Sequence, residues 1–305
     1  MNIVFFGNPL FSSKCLEHLN NIQNINIKLV VTNTDKRMGR GLHIKSTPVK
    51  KTALKYSNNF LEIENLDSKE FLDTLKKIPS DLFIVVGYRY LKESIYSHVK
   101  YGAINLHTSL LPKYRGASPI QYSIMNGDKK TGLTTFYLNN KIDQGNIIYQ
   151  KEYAIKDHFI FEDVYSGLID LSKEVLIKTL DIILSKKTIN IKTLEKPSYA
   201  PKISKKDFLI DWKQPAINIH NKIRALSYKG AYGFHGEKRI KFFDTFTSKY
   251  SKKDKVGSFY YENNIIYIQT GKDYLAVSKL QTEGRRVVNA KDFYNTLKKG
   301  PFNFD

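Results

Sequence analysis

Asn2-Ile-Val-Phe-Phe-Gly7 decides the fold: an apolar run opened by an asparagine and closed by a glycine. The run does not alternate polar with apolar, which is the pattern of a strand buried on both faces in a parallel sheet. Working outward, Ile25 to Thr32 reads as a second strand, Asp81-Leu-Phe-Ile-Val-Val86 as a third and Gly102-Ala-Ile-Asn-Leu-His107 as a fourth. Helices are predicted between them over Phe11 to Leu19, with Ser12 or Ser13 as N-cap, over Pro48 to Tyr56 and over Ser68 to Ile78. Strands alternating with helices make βαβ units, so the fold class is α/β with a doubly wound, mostly parallel sheet. Thr134 to Leu138 and Ile147 to Ile155 read as later strands. Val164 to Leu184 reads as a long amphipathic helix, with Leu168, Leu171, Val175, Leu176, Thr179, Leu180 and Ile183 along one face.

Beyond Leu184 the pattern changes. Ser185 to Lys202 is polar and carries Pro197 and Pro201, as a linker does. Trp212 to Leu226 is predicted as a helix. Short strands follow at Ile240 to Phe243, Val256 to Tyr261, Ile265 to Gln269 and Tyr274 to Leu280, compatible with a small all-β barrel. The expected organisation is a first domain over residues 1–184, a linker over 185–203 and a second domain over 204–305.

Composition excludes several classes. With 41% hydrophobic residues in 305, the chain can bury a sizeable core. No apolar run approaches the ~18 residues of a membrane span. Met1 leads straight into a core strand, so neither a signal nor a transit peptide is expected, and the expected location is cytoplasmic. A lone cysteine, Cys15, excludes a disulfide framework and a cysteine zinc site, and reads as a small core residue. The net charge of +20 favours an anionic partner, most often nucleic acid, although the codon bias of an AT-rich genome also enriches lysine. From Ser204 to the end, 20 basic residues face 10 acidic ones, about twice the density of net positive charge found before it.

The chemistry is expected where the fourth strand ends. Asn105 and His107 share one face, because side chains alternate with period two. They stand at the carboxyl end, where open α/β sheets bind ligands. Ser109-Leu-Leu-Pro112-Lys-Tyr-Arg-Gly116 follows as an irregular loop, since Pro112 fixes φ and Gly116 permits close approach. Asp143 lies beside Gly145 in a later turn. An asparagine, a histidine and an aspartate converging on one cleft suit acyl transfer. The amide serves an oxyanion, the imidazole moves a proton, and the carboxylate holds the imidazole in one tautomer. From residue types alone, a satisfied structural histidine and turn chemistry at Asp143 fit as well.

The ordered set Asn105-Leu-His107-Thr-Ser109-Leu-Leu-Pro112, with Asp143 about 35 residues after the histidine, resembles the signature of the folate-dependent formyltransferases. Phe6-Gly7-Asn8-Pro9, Asp35-Lys-Arg37-Met-Gly39-Arg40-Gly41, Tyr199-Ala-Pro-Lys202 and Gly284-Arg-Arg-Val-Val288 extend the likeness along nearly the whole chain. The resemblance implies a Rossmann-like catalytic domain and an OB-like carboxyl barrel that holds tRNA. It implies formyl transfer from 10-formyltetrahydrofolate to the amine of methionyl initiator tRNA, with neither a membrane nor a protein partner. By motif, Asn105, His107 and Asp143 are the expected catalytic trio. Ser109, Leu110, Leu111 and Pro112 are expected to line the folate site, and Lys36, Arg37, Arg40 and Lys45 to meet tRNA. No metal is expected, since an amine attacking an activated formamide can be served by hydrogen bonds and proton transfer.

Three positions depart from the family pattern: Gly87-Tyr88-Arg89 adds a cation after the third strand, Asn146 replaces an acid, and Tyr228-Lys229 replaces Trp-Pro. The alternatives weighed are a sugar-nucleotide N-formyltransferase, which needs no basic loop, and a non-catalytic RNA-binding relative, which needs no trio. A dinucleotide enzyme is excluded, because Gly7-Asn-Pro-Leu lacks the glycine-rich turn.

Overall fold

The continuous apolar runs are the inner strands of one sheet. The computed structural model describes residues 1–38, 43–186, 196–249, 254–297 and 303–305. The chain divides into two compact units, residues 1–116, 131–153 and 166–199 in the first and residues 117–130, 154–165 and 200–305 in the second. In chain order, the elements up to Leu184 are β1 (Asn2–Gly7), α1 (Leu10–Asn20), β2 (Asn26–Thr32), β3 (Lys36–Met38), β4 (His43–Lys45), α2 (Pro48–Lys55), β5 (Phe60–Glu62), α3 (Lys69–Lys77), β6 (Leu82–Val86), α4 (Glu93–Tyr96), β7 (Ala103–His107), β8 (Arg115–Gly116), α5 (Pro119–Met125), β9 (Lys130–Tyr137), β10 (Ile147–Ala154) and α6 (Phe161–Leu184).

Seven strands form the sheet of the first unit in the order β10-β9-β7-β6-β1-β2-β5. β1 runs parallel to β2 and β6, and β6 parallel to β7, whereas β7 and β9 are antiparallel. Ile3 to Phe6 and Leu82 to Ile84 are fully buried, as strands covered by helices on both faces must be. The strand order reverses beside β1, with β2 on one side and β6 on the other. In open α/β sheets ligands bind outside the carboxyl ends of the strands near such a reversal, where β1 and β6 end and β7 follows next in the sheet.

Local departures from the expected pattern have local causes. α1 is entered from Pro9, which makes no side-chain cap. Ser12 and Ser13 lie inside the first turn and are buried. Ser12 donates to the Val86 carbonyl, and the Ser13 hydroxyl pairs with Thr52 at 2.8 Å, so both serines fasten α1 to its neighbours instead of capping it. Thr47 caps α2 by accepting from Lys50 N at 3.1 Å, with Pro48 at the first helical position. The basic stretch that begins at Asp35 contains a hairpin: Lys36 pairs with Lys45 and Arg37 with Ile44. Two lysines directly opposite each other repel, which hides the hairpin from a reading by pattern.

After β11 (Tyr199–Ala200), which pairs with β8, the second unit adds α7 (Ala216–Ala225), β12 (Tyr232–His235), β13 (Lys238–Ser248), β14 (Phe259–Glu262), β15 (Ile265–Gln269), β16 (Tyr274–Thr282), β17 (Val288–Asn289) and α8 (Ala290–Asn295) to the α5 segment. Its strands form an antiparallel sheet in the order β12-β13-β16-β15-β14, with β17 on β16. Trp212 meets Phe242 edge-on and stacks on Phe304, which stacks in turn on Phe259, giving this unit an aromatic core of its own. Arg224 of α7 donates to the Phe159 carbonyl at 2.7 Å and to Asn221 Oδ1 at 2.7 Å, tying the 154–165 segment to the helix. Among the described residues, no helix is long and apolar enough to cross a membrane.

Candidate active site

β7 delivers Asn105 and His107 to one face, two residues apart. The Asn105 amide is half-buried and has no hydrogen-bond partner among the described residues, so its donor is available to a ligand. His107 is 6% exposed, and its Nε2 lies 2.9 Å from the Tyr114 carbonyl. A carbonyl can only accept, so Nε2 carries the proton and the neutral ring keeps its lone pair on Nδ1. Nδ1 faces Asp143 Oδ2 at 3.9 Å, too far for a hydrogen bond. The group that fixes the tautomer is thus the Tyr114 carbonyl. Asp143, expected to hold the ring directly, faces the other nitrogen, Nδ1, without a hydrogen bond to it.

Asp143 is itself aimed by its loop. It adopts a left-handed backbone, φ +52°, between β9 and β10, and its Oδ2 accepts the Gly116 N–H at 2.8 Å. Asn139 shapes the same turn, accepting from Lys141 N at 2.9 Å and donating to the Gln144 carbonyl at 3.1 Å. A Cβ on Gly145 would meet the Tyr137 carbonyl oxygen at 1.6 Å, so only glycine closes the turn here.

Ser109 to Pro112 form a clamped loop. The Ser109 hydroxyl donates to the Lys113 carbonyl at 2.6 Å. Thr134 of β9, completely buried, donates to the Ser109 carbonyl at 2.6 Å and accepts from Leu111 N at 3.1 Å. Gln150 of β10 donates to the Leu111 carbonyl at 2.8 Å and to Thr134 Oγ1 at 2.9 Å. Leu111 and Pro112 are buried, and Leu110 packs against Gly132. Sequence reasoning missed Thr134, Gln150 and Tyr114. The first two act across more than twenty residues of chain, and only the Pro112 and Gly116 bracket hints that the loop turns back at Tyr114.

The basic residues separate into two kinds. Lys36 and Lys45 are exposed on the β3–β4 hairpin. Arg40 and the Arg37 side chain lie outside the described residues. Lys50 differs: it is bound by Asp35 and Glu62 at 2.8 Å each, which raises its pKa and removes it from the free positive charge. Arg89, the added cation, donates to the Ile63 carbonyl at 2.7 Å and to the Tyr88 hydroxyl at 3.0 Å, and also engages the Glu64 carbonyl. It braces the end of β5 with its planar fork. Tyr228 packs on Phe161 and Phe208, and Lys229 lies over both aromatic rings of Phe208 and Tyr228, so that departure is absorbed by packing within the second unit.

An imidazole with a carboxylate 3.9 Å from its Nδ1 and an amide two residues away on the same strand end is an arrangement chemically able to move a proton and to donate to an oxyanion. The chain belongs to the formyl transferase family: residues 1–180 match the formyl transferase domain and residues 202–298 the formyl transferase C-terminal domain. It is similar to the methionyl-tRNA formyltransferase of Thermotoga maritima, 39% identical over 294 residues that cover 94% of this chain and 92% of that one. The methionyl-tRNA formyltransferase of Halothermothrix orenii is 37% identical over 314 residues, covering 98% and 99%. In fold the chain is similar to the sugar 3N-formyl transferase WlaRD, solved in the presence of dTDP and 5-N-formyl-THF, with a TM-score of 0.66 at 21% identity over 94% of this chain and 99% of that one.

Proposed function

We propose that this chain transfers the formyl group of 10-formyltetrahydrofolate to the α-amine of methionyl initiator tRNA. The observation that carries the reading is the alignment of Asn105, His107 and Asp143 at the carboxyl end of β7, in a chain similar along both domains to methionyl-tRNA formyltransferases. The folate co-substrate supplies an electrophilic formyl carbon.

The residues divide the work. His107 Nδ1 takes a proton from the attacking amine and returns one to the leaving folate nitrogen. One C–N bond forms and one breaks, and the proton count is unchanged. Asp143 stabilises the ring while it is cationic, held in place by Gly116 N–H. The Asn105 amide donates to the negative charge that develops on the formyl oxygen. The basic C-terminal stretch and the exposed lysines of the hairpin, Lys36 and Lys45, hold the RNA backbone.

The test is direct: incubate the protein with methionyl-tRNA and labelled formyl donor and look for formyl-methionyl-tRNA. A dTDP-amino sugar offered as acceptor in parallel should remain unformylated. Transfer to the sugar and none to methionyl-tRNA would overturn the reading.

A further inference from the structure

We infer that Ser198 is a positioning residue for His107, acting through the backbone of Tyr114, and that it thereby sets which imidazole nitrogen exchanges protons. The kinetic consequences rest on the formyl-transfer reading above, whereas the tautomer itself does not.

Three bonds run from this one residue to the loop after β7. Ser198 Oγ accepts the Tyr114 N–H at 3.0 Å, and the Ser198 carbonyl accepts the Arg115 N–H at 2.9 Å. Ser198 N donates to the Pro112 carbonyl at 3.4 Å. Between them sits Tyr114, a non-glycine residue in the left-handed region at φ +60°. Such a conformation persists only where its surroundings over-determine it. The Ser198 hydroxyl is the side-chain group that fixes the amide of this residue, while the carbonyl of the same residue meets His107 Nε2 at 2.9 Å.

The consequence concerns the proton. While Tyr114 stays left-handed, its carbonyl holds a proton on Nε2, and Nδ1 is bare towards Asp143. If Tyr114 relaxes towards a right-handed or extended backbone, its carbonyl turns away from the ring. The neutral imidazole is then free to carry its proton on Nδ1, the nitrogen that must be empty to act as a base. Among the described residues Ser198 makes no hydrogen bond to His107, and its link to the ring runs through the Tyr114 backbone. It also stands two residues before Ala200, where the chain passes into the second unit. The stretch that enters that unit therefore also tunes the base in the first.

The experiment uses the full chain labelled with 15N-histidine, as wild type, Ser198→Ala and Ser198→Thr. The His107 signals, one set among seven histidines, are assigned by their loss in His107→Asn. With the ring neutral, the wild type and Ser198→Thr are expected to be protonated on Nε2, and Ser198→Ala to show a clear Nδ1-protonated fraction. On methionyl-tRNA, Ser198→Ala should lower kcat about fivefold, the scale of one ordinary hydrogen bond, with both KM values within about twofold of wild type. Ser198→Thr should restore kcat. An unchanged His107 spectrum in Ser198→Ala, or a Ser198→Thr protein that behaves like Ser198→Ala, would overturn the inference. The expected spectra in a wild type that formylates no methionyl-tRNA would sink the functional reading and support this one.

Discussion

Thr134→Val tests the loop clamp. Valine matches threonine in volume, so the change removes a hydroxyl and leaves the packing nearly intact. The Thr134 hydroxyl uses its full capacity, one proton given to the Ser109 carbonyl and two lone pairs taken by Leu111 N and Gln150 Nε2. In the variant, Gln150 retains the Leu111 carbonyl. The Ser109 carbonyl and the Leu111 N–H are left buried beside a methyl group. A buried polar group without a partner costs about 1–3 kcal/mol, so two cost about 3 kcal/mol together after partial relaxation. With a urea m-value of about 2 kcal/mol/M, the unfolding midpoint should fall by about 1.5 M. Thr134→Ser keeps the hydroxyl and loses one methyl, worth about 0.8 kcal/mol. The assay is urea unfolding followed by circular dichroism, with the apparent KM for the formyl donor measured alongside and expected to rise in Thr134→Val. If Thr134→Val were no less stable than Thr134→Ser, the claim that this hydroxyl holds the loop would be refuted.

The remaining expectations are briefer. His107→Asn or Asp143→Ala should leave the fold intact and lower turnover by at least ~100-fold, so near-normal kcat at saturating substrates would reject the trio. Affinity for tRNA should fall steeply with added salt. The double variant Lys36→Ala, Lys45→Ala should weaken it, while Lys50→Met should spare it and lower the unfolding temperature, since Lys50 is already spent on Asp35 and Glu62; equal losses of tRNA binding in both would contradict the division. His220 is pushed down to about 4 by burial, with Arg224 nearby adding to the effect. The unfolded chain therefore takes up this proton near pH 6.5 and the folded chain only near 4. The second unit should be fully stable above pH 6.5 and lose stability as pH falls towards 4, and His220→Gln should flatten that slope in urea midpoints measured across this window.

How much was legible depends on where each signal is written. β1, β6 and β7 stood out because a strand buried on both faces must be apolar throughout. Asn105 and His107 stood out because two polar residues at alternate positions interrupt such a run at its end. β5, Phe60–Glu62, carries only three half-buried residues and has no pattern to read. α5, Pro119–Met125, is too short to show a period. The pairing of Lys50 with Asp35 and Glu62 could not be counted from the basic stretch alone, because Glu62 comes from another strand. Tyr114 carries its contribution on a backbone carbonyl, which every residue possesses, so its identity announces nothing.

The second unit is assembled from three stretches of chain, and this has a consequence during synthesis. α5 and the 154–165 segment leave the ribosome well before α7, the helix they pack with, has been made. At ~5–20 residues per second, the interval from Met125 to Ala216 lasts several seconds, long compared with the microseconds in which a helix forms. Through that interval α5, whose Ile120 and Ile124 are buried in the finished protein, waits for the helix it packs with, so this part of the second unit closes only after the carboxyl third has been made.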